Sequence, residues 1–172
     1  AKVLKNSEIM DPIVEVYKIK EELKRRQDMK DLGKAPKKIK SDKYLPPIEA
    51  KHYLLLTEGQ SATGGLMPAI GRKNCGYYEL KGKPLNAYSA DQKKFTSNKE
   101  LSELYMILNN ESYDQIIFAT DQDLDGFHIR GLLVGFFTKY LPDFKGKIGI
   151  LNTPVIGIKK GGKLVRWNYS LQ

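Results

Sequence analysis

The sequence predicts an α/β fold in which a parallel sheet is flanked by helices, with a helix and a basic linker in front and a hairpin behind. Three observations carry that expectation. Short apolar, strand-like runs alternate with segments of helical period, the order that right-handed crossovers turn into a parallel sheet. Two of those runs end abruptly in carboxylates: Leu54-Leu55-Leu56-Thr57 runs into Glu58-Gly59, and Ile116-Ile117-Phe118-Ala119-Thr120 runs into Asp121-Gln122-Asp123-Leu124-Asp125-Gly126. Between residues 127 and 141, Ile129, Leu132, Leu133, Phe136, Phe137 and Tyr140 keep one helical face, and Pro142 closes it.

The elements follow in chain order. Residues 11–29 read as a helix, because Ile13, Val14, Val16, Tyr17, Ile19 and Leu23 recur at helical spacing. Asp11-Pro12 suits its start, with proline at the first helical position. Residues 30–43 hold Gly33 and Ala35-Pro36-Lys37-Lys38 and read as a basic linker, which Tyr44-Leu45-Pro46-Pro47 ends. The chain therefore divides into residues 1–45 and a compact domain over 46–172. In that domain residues 52–57 form a buried strand and 61–71 a helix capped by Ser61. Residues 77–80 form a strand, 81–97 a polar loop, and 98–109 a helix burying Leu101, Leu104, Tyr105 and Leu108. Residues 115–120 form the second strong strand and 148–151 a third. Residues 155–159 and 164–169, around Gly161-Gly162, form a hairpin.

Composition narrows the chemistry. With 172 residues, 41% of them hydrophobic, the chain can build one good core and an appendage. No apolar run nears the roughly 18 residues of a membrane helix. Ala1-Lys2-Val3-Leu4-Lys5 lacks a following apolar region, so no secretory signal is expected. The single cysteine, Cys75, excludes an internal disulfide and a cysteine-rich zinc site and fits a reducing, cytoplasmic setting. The net charge of +9 suggests a polyanionic partner, most simply nucleic acid.

An acidic cluster in a basic chain calls for a cation. Carboxylates at the C-terminal ends of parallel strands face the crevice where open α/β sheets bind ligands. In extended chain Asp121, Asp123 and Asp125 alternate and point the same way. With Glu58 they offer hard oxygen donors suited to magnesium. A calcium-binding EF-hand also opens Asp-x-Asp-x-Asp-Gly, but its twelfth loop position needs glutamate, and here that residue is Leu132. An aspartyl phosphatase remains open, though it leaves Glu58 and the basic surface unexplained. A purely structural role, with the aspartates capping the next helix, needs only one of them.

Taken together, Glu58-Gly59-Gln60-Ser61-Ala62 and Asp121-Gln122-Asp123-Leu124-Asp125-Gly126-Phe127-His128-Ile129-Arg130 resemble the Toprim domain of type IIA DNA topoisomerases. Leu80-Lys81-Gly82-Lys83-Pro84-Leu85-Asn86 and Asn152-Thr153-Pro154-Val155 fit the same family, in the right order. Lys5-Asn6-Ser7-Glu8 resembles the stretch joining the ATPase transducer to that domain, and Gln60 stands where the family usually has aspartate. The resemblance implies a Toprim, Rossmann-like sheet and a bacteriophage-type large subunit related to DNA gyrase B. It implies magnesium at Glu58, Asp121, Asp123 and Asp125, with Glu58, Asp121 and Asp123 catalytic. Lys81, Lys83, Asn86, His128 and Arg130 are the expected DNA-backbone contacts. Implied partners are double-stranded DNA, a breakage-reunion subunit or domain carrying the catalytic tyrosine, and an ATPase domain, in a dimeric enzyme. ATP serves the whole enzyme and is not bound by this chain. The implied setting is the cytoplasm, that of the bacterial host if the enzyme is viral. Two other readings stand beside this one: a Toprim nuclease or primase, and a non-catalytic DNA-binding module.

Overall fold

The structure, a computed structural model, describes residues 7–33 and 41–169. Residues 5 and 6 of the expected transducer motif and residues 34–40 of the expected linker lie outside them.

Helix α1 spans Ser7–Gly33. It starts four residues before the expected Asp11-Pro12 signal and runs into the stretch read as linker, so Pro12 lies inside it. Its expected apolar face is not a core face in this chain: Val14, Val16, Tyr17, Ile19 and Leu23 are exposed. Contact comes from its C-terminal end, where Met29 is buried and Tyr105 donates a hydrogen bond to the Met29 carbonyl at 3.3 Å.

The sheet contains β1 (Tyr44–Leu45), β2 (Tyr53–Thr57), β3 (Cys75–Glu79), β4 (Gln115–Ala119) and β5 (Lys147–Ile150), in the spatial order β1-β3-β2-β4-β5. β1 pairs antiparallel with β3, and the other pairs are parallel. Tyr44-Leu45, read from sequence as the end of the linker, is thus the edge strand of the same sheet. The Tyr44 and Tyr113 hydroxyls hydrogen-bond to each other beneath it.

Side-chain alternation splits the core into two layers. On one face Leu54, Leu56, Tyr78, Ile116 and Phe118 pack under helices α3 (Gln92–Ser97), α4 (Lys99–Asn110) and α5 (Leu124–Tyr140). On the other, Leu55, Tyr77, Cys75 and Ala119 pack with Leu66 and Met67 of α2 (Gln60–Ile70). The buried faces expected for α4 and α5 are buried, with Leu132 at the margin. α3 falls inside the segment read as loop. It is held by Asp91, whose side chain accepts from Lys94 N, and by Phe95, stacked on Tyr140 at 3.8 Å. Ser61 is not the cap of α2: Gly59 holds that position and no side chain caps the helix. β6 (Ile156–Lys160) and β7 (Lys163–Asn168) form the expected antiparallel hairpin, turned through Gly161 and Gly162 at positive φ.

Candidate metal centre

The chain switches direction across the sheet at one place. From β2 it moves to β3 on one side, then crosses to β4 on the other, so the crevice opens at the carboxyl ends of β2 and β4. Those strands are paired in register, Thr57 opposite Ala119, so Glu58 and Asp121 leave the same edge side by side. Glu58 Oε2 accepts a long hydrogen bond from Asp121 N at 3.5 Å. Glu58 is half-buried, while Asp121, Asp123 and Asp125 are exposed.

The loop between β4 and α5 is tightly specified. Asp123 is the N-cap of α5, its Oδ1 accepting from Gly126 N at 2.7 Å. Asp125 already lies in the first helical turn, so the extended alternation expected for the three aspartates stops at Asp123. Asp125 instead pairs with Lys83 Nζ at 2.8 Å. Gly126 is required by close approach, since a Cβ there would overlap the Asp121 carbonyl. The N-termini of α2 and α5 both point at this edge, where their partial positive charge favours anionic groups.

Arg130, expected as a DNA contact, turns inward in this structure. It is only 8% exposed, with Nε donating to Thr120 Oγ1 at 2.7 Å and a terminal nitrogen donating to the Asp121 carbonyl at 2.8 Å. Its guanidinium shapes the acidic loop from inside. Lys81 and Lys83 are exposed beside the crevice, and His128 is exposed on α5. Asn86 is exposed too, but its Oδ1 accepts from Ser89 N at 3.3 Å and so organises its own turn.

Three positioning contacts were not read from the sequence. Glu100 Oε1 accepts from Lys81 N at 2.8 Å and also pairs with Lys43. Lys139 Nζ donates to the carbonyls of Ala87, Tyr88 and Ala90 at 2.6–3.1 Å. Gln122 Nε2 donates to the Leu151 carbonyl at 3.2 Å, tying the acidic loop to the chain beyond β5. None has a sequence signal, because each partner is brought up by the tertiary fold.

Among the described residues, no three His, Cys, Asp or Glu side chains gather into a preformed metal cage. The donor chemistry nevertheless fits a hard divalent cation. Glu58, Asp121 and Asp123 are hard oxygen donors at one edge of the sheet. Six of the ten tyrosines are buried. Burial raises Tyr44, Tyr78, Tyr105 and Tyr113 above the ordinary phenol range and pushes Tyr77 up to about 12.

Comparison with known proteins identifies the family. Residues 53–153 match the family described as Toprim domain. The chain is 33% identical to a DNA topoisomerase 4 subunit of Caulobacter vibrioides over 165 residues, covering 86% of this chain and 24% of that protein. It is 33% identical to DNA topoisomerase 2 of Plasmodium falciparum over 128 residues, covering 64% of this chain and 9% of that protein. The crystal structure of the Plasmodium falciparum topoisomerase II DNA-binding, cleavage and re-ligation domain superposes with a TM-score of 0.70. Identity there is 28%, over 80% of this chain and 22% of that one. The chain thus spans about a quarter or less of the length of these relatives, and no described helix is long and apolar enough to cross a membrane. The match to residues 53–153, with the acidic strand ends inside it, shows that the chain belongs to the Toprim domain family, and the relatives it matches are type II DNA topoisomerases.

Proposed function

We propose that this chain supplies the metal-binding half of a DNA cleavage and religation centre in a type II topoisomerase. The observation that carries the reading is the pairing of Glu58 with the Asp121 loop on neighbouring parallel strands at the switch point of the sheet. Residues 1–45 belong, in this reading, to the end of a transducer, and residues 46–172 to the Toprim unit.

Glu58, Asp121 and Asp123 would hold magnesium, with Asp125 available to a second position. When bound, the ion supplies Lewis-acid stabilisation of charge on a phosphodiester. The chain's own residues do the rest. Glu58, half-buried at the mouth, is placed to hold or release a proton at the departing 3′ oxygen. Arg130 fixes the Asp121 carbonyl and so the direction of the acidic loop. Lys81, Lys83 and His128 present positive or donor groups to the DNA backbone, contacts that position a duplex without reading its sequence. Lys83 leaves Asp125 when a phosphate takes its place.

The nucleophilic tyrosine comes, in this reading, from a breakage-reunion domain or subunit. ATP is used by a separate ATPase domain of the dimeric enzyme. The test is relaxation of supercoiled DNA by the full-length enzyme containing this chain. Glu58→Gln is expected to abolish relaxation while duplex binding persists. Unchanged relaxation in that variant would leave the chain as a DNA-binding module.

A further inference from the structure

The hairpin β6–β7 is more than an appendage. Every residue of it is exposed except the half-buried Asn168. Its turn, built on Gly161 (φ 57°) and Gly162 (φ 79°), is flanked by Lys159, Lys160 and Lys163, with Arg166 on the returning strand. None of these four takes part in an ion pair among the described residues. Residues 144–172 contain six Lys or Arg and no Asp or Glu. Lys43 and Lys83, by contrast, are each paired with a carboxylate.

Topology gives this charge a direction. β5 runs parallel to β4, so the chain leaves it at the same edge of the sheet as Glu58 and Asp121, and β6 begins shortly after. The Gln122 to Leu151 hydrogen bond fixes that exit against the acidic loop. The Lys81–Lys83 loop follows β3, on the opposite side of β2 and β4. Cationic segments of the chain therefore follow β3 on one side of the acidic pair and β5 on the other. Three strand spacings separate β3 from β5, roughly 14 Å at about 4.8 Å each.

Building on the proposed cleavage centre, we infer that the β6–β7 hairpin is a second contact for the duplex backbone. Lys159, Lys160 and Lys163 hold phosphates on the β5 side of the acidic centre while the Lys81–Lys83 loop holds them on the β3 side. The contact is electrostatic and independent of base sequence. Lysines also serve on free strand edges to prevent edge pairing. That role predicts no response to DNA and so gives the opposite experimental outcome.

The test is equilibrium binding of this chain to a short duplex across a salt series. Three variants are compared with wild type: K159Q/K160Q/K163Q, K81Q/K83Q, and K18Q/K20Q/K24Q. The last removes the same charge from the exposed side of α1. Neutralising the hairpin is expected to lower the slope of log affinity against log salt by about 2.7, at about 0.9 per phosphate contact. The α1 variant should leave the slope unchanged. The sole tryptophan, Trp167, lies half-exposed on β7, so its emission should change when duplex is added to wild type. A wild-type slope in the hairpin variant, an equal loss in the α1 variant, or a Trp167 signal that responds only to a protein partner would each overturn the inference. The cleavage-centre reading would survive any of these, because it is judged by relaxation with Glu58→Gln.

Discussion

Asp123 has two roles that alanine would remove together. Its carboxylate caps α5 through Gly126 N, and it is one of the three donors proposed for the metal. Asparagine keeps a capping oxygen and loses the charge. Asp123→Ala is therefore expected to cost about 1 kcal/mol of stability, whereas Asp123→Asn should cost only a few tenths, roughly the scatter among good caps. Urea denaturation of both variants checks the difference. Equal losses would mean that the cap contributes little. At this scale the sequence was legible where chemistry repeats a pattern. Glu58 and Asp121 lie at adjacent strand ends as their positions after apolar runs imply. Arg130 was not legible, because an arginine one helical turn past the acidic loop looks the same in sequence whether it faces DNA or turns inward to Thr120.

Among the elements, α4, α5, the apolar strands and the hairpin were read correctly, and α3 and β1 were not. α5 and α4 have enough turns to show a face, and β2 and β4 are apolar along their length. α3 has six residues, too few to show a period, and is held by the Asp91 cap and by Phe95. Phe95 is fully buried and stacks on Phe136 and Tyr140. Phe95→Ala is expected to destabilise the chain by about 3–5 kcal/mol, read as a lower denaturation midpoint. A loss below about 1 kcal/mol would show that α3 is dispensable to the core. β1 was missed because two residues before a Pro-Pro pair carry no strand signal, and only the pairing with β3 makes them one. α1 shows the opposite case: a clear apolar period whose Val16, Ile19 and Leu23 remain exposed.

Across the whole molecule, buried phenols set an upper pH limit. Tyr77, Tyr78 and Tyr113 are all raised, chiefly by burial, and Tyr77 reaches about 12 while its Oη donates to the Gly71 carbonyl. Their unfolded value is 10.0. Above it the unfolded chain releases protons that the folded chain keeps, so stability is full below that value and falls as pH rises toward the folded values. Denaturation midpoints measured through this window should drop, and Tyr77→Phe should flatten part of the slope. A midpoint indifferent to pH there would contradict the burial of these hydroxyls.

The central claim is that the carboxylates at the ends of β2 and β4 form the metal site of a DNA cleavage centre. Its most direct test is the yield of covalent tyrosyl-DNA adduct from the full enzyme, titrated with magnesium, for wild type and Asp123→Asn. The account predicts that the variant folds and binds duplex normally but needs far more magnesium to reach the same yield, or never reaches it. Superimposable magnesium curves for the two proteins would contradict it.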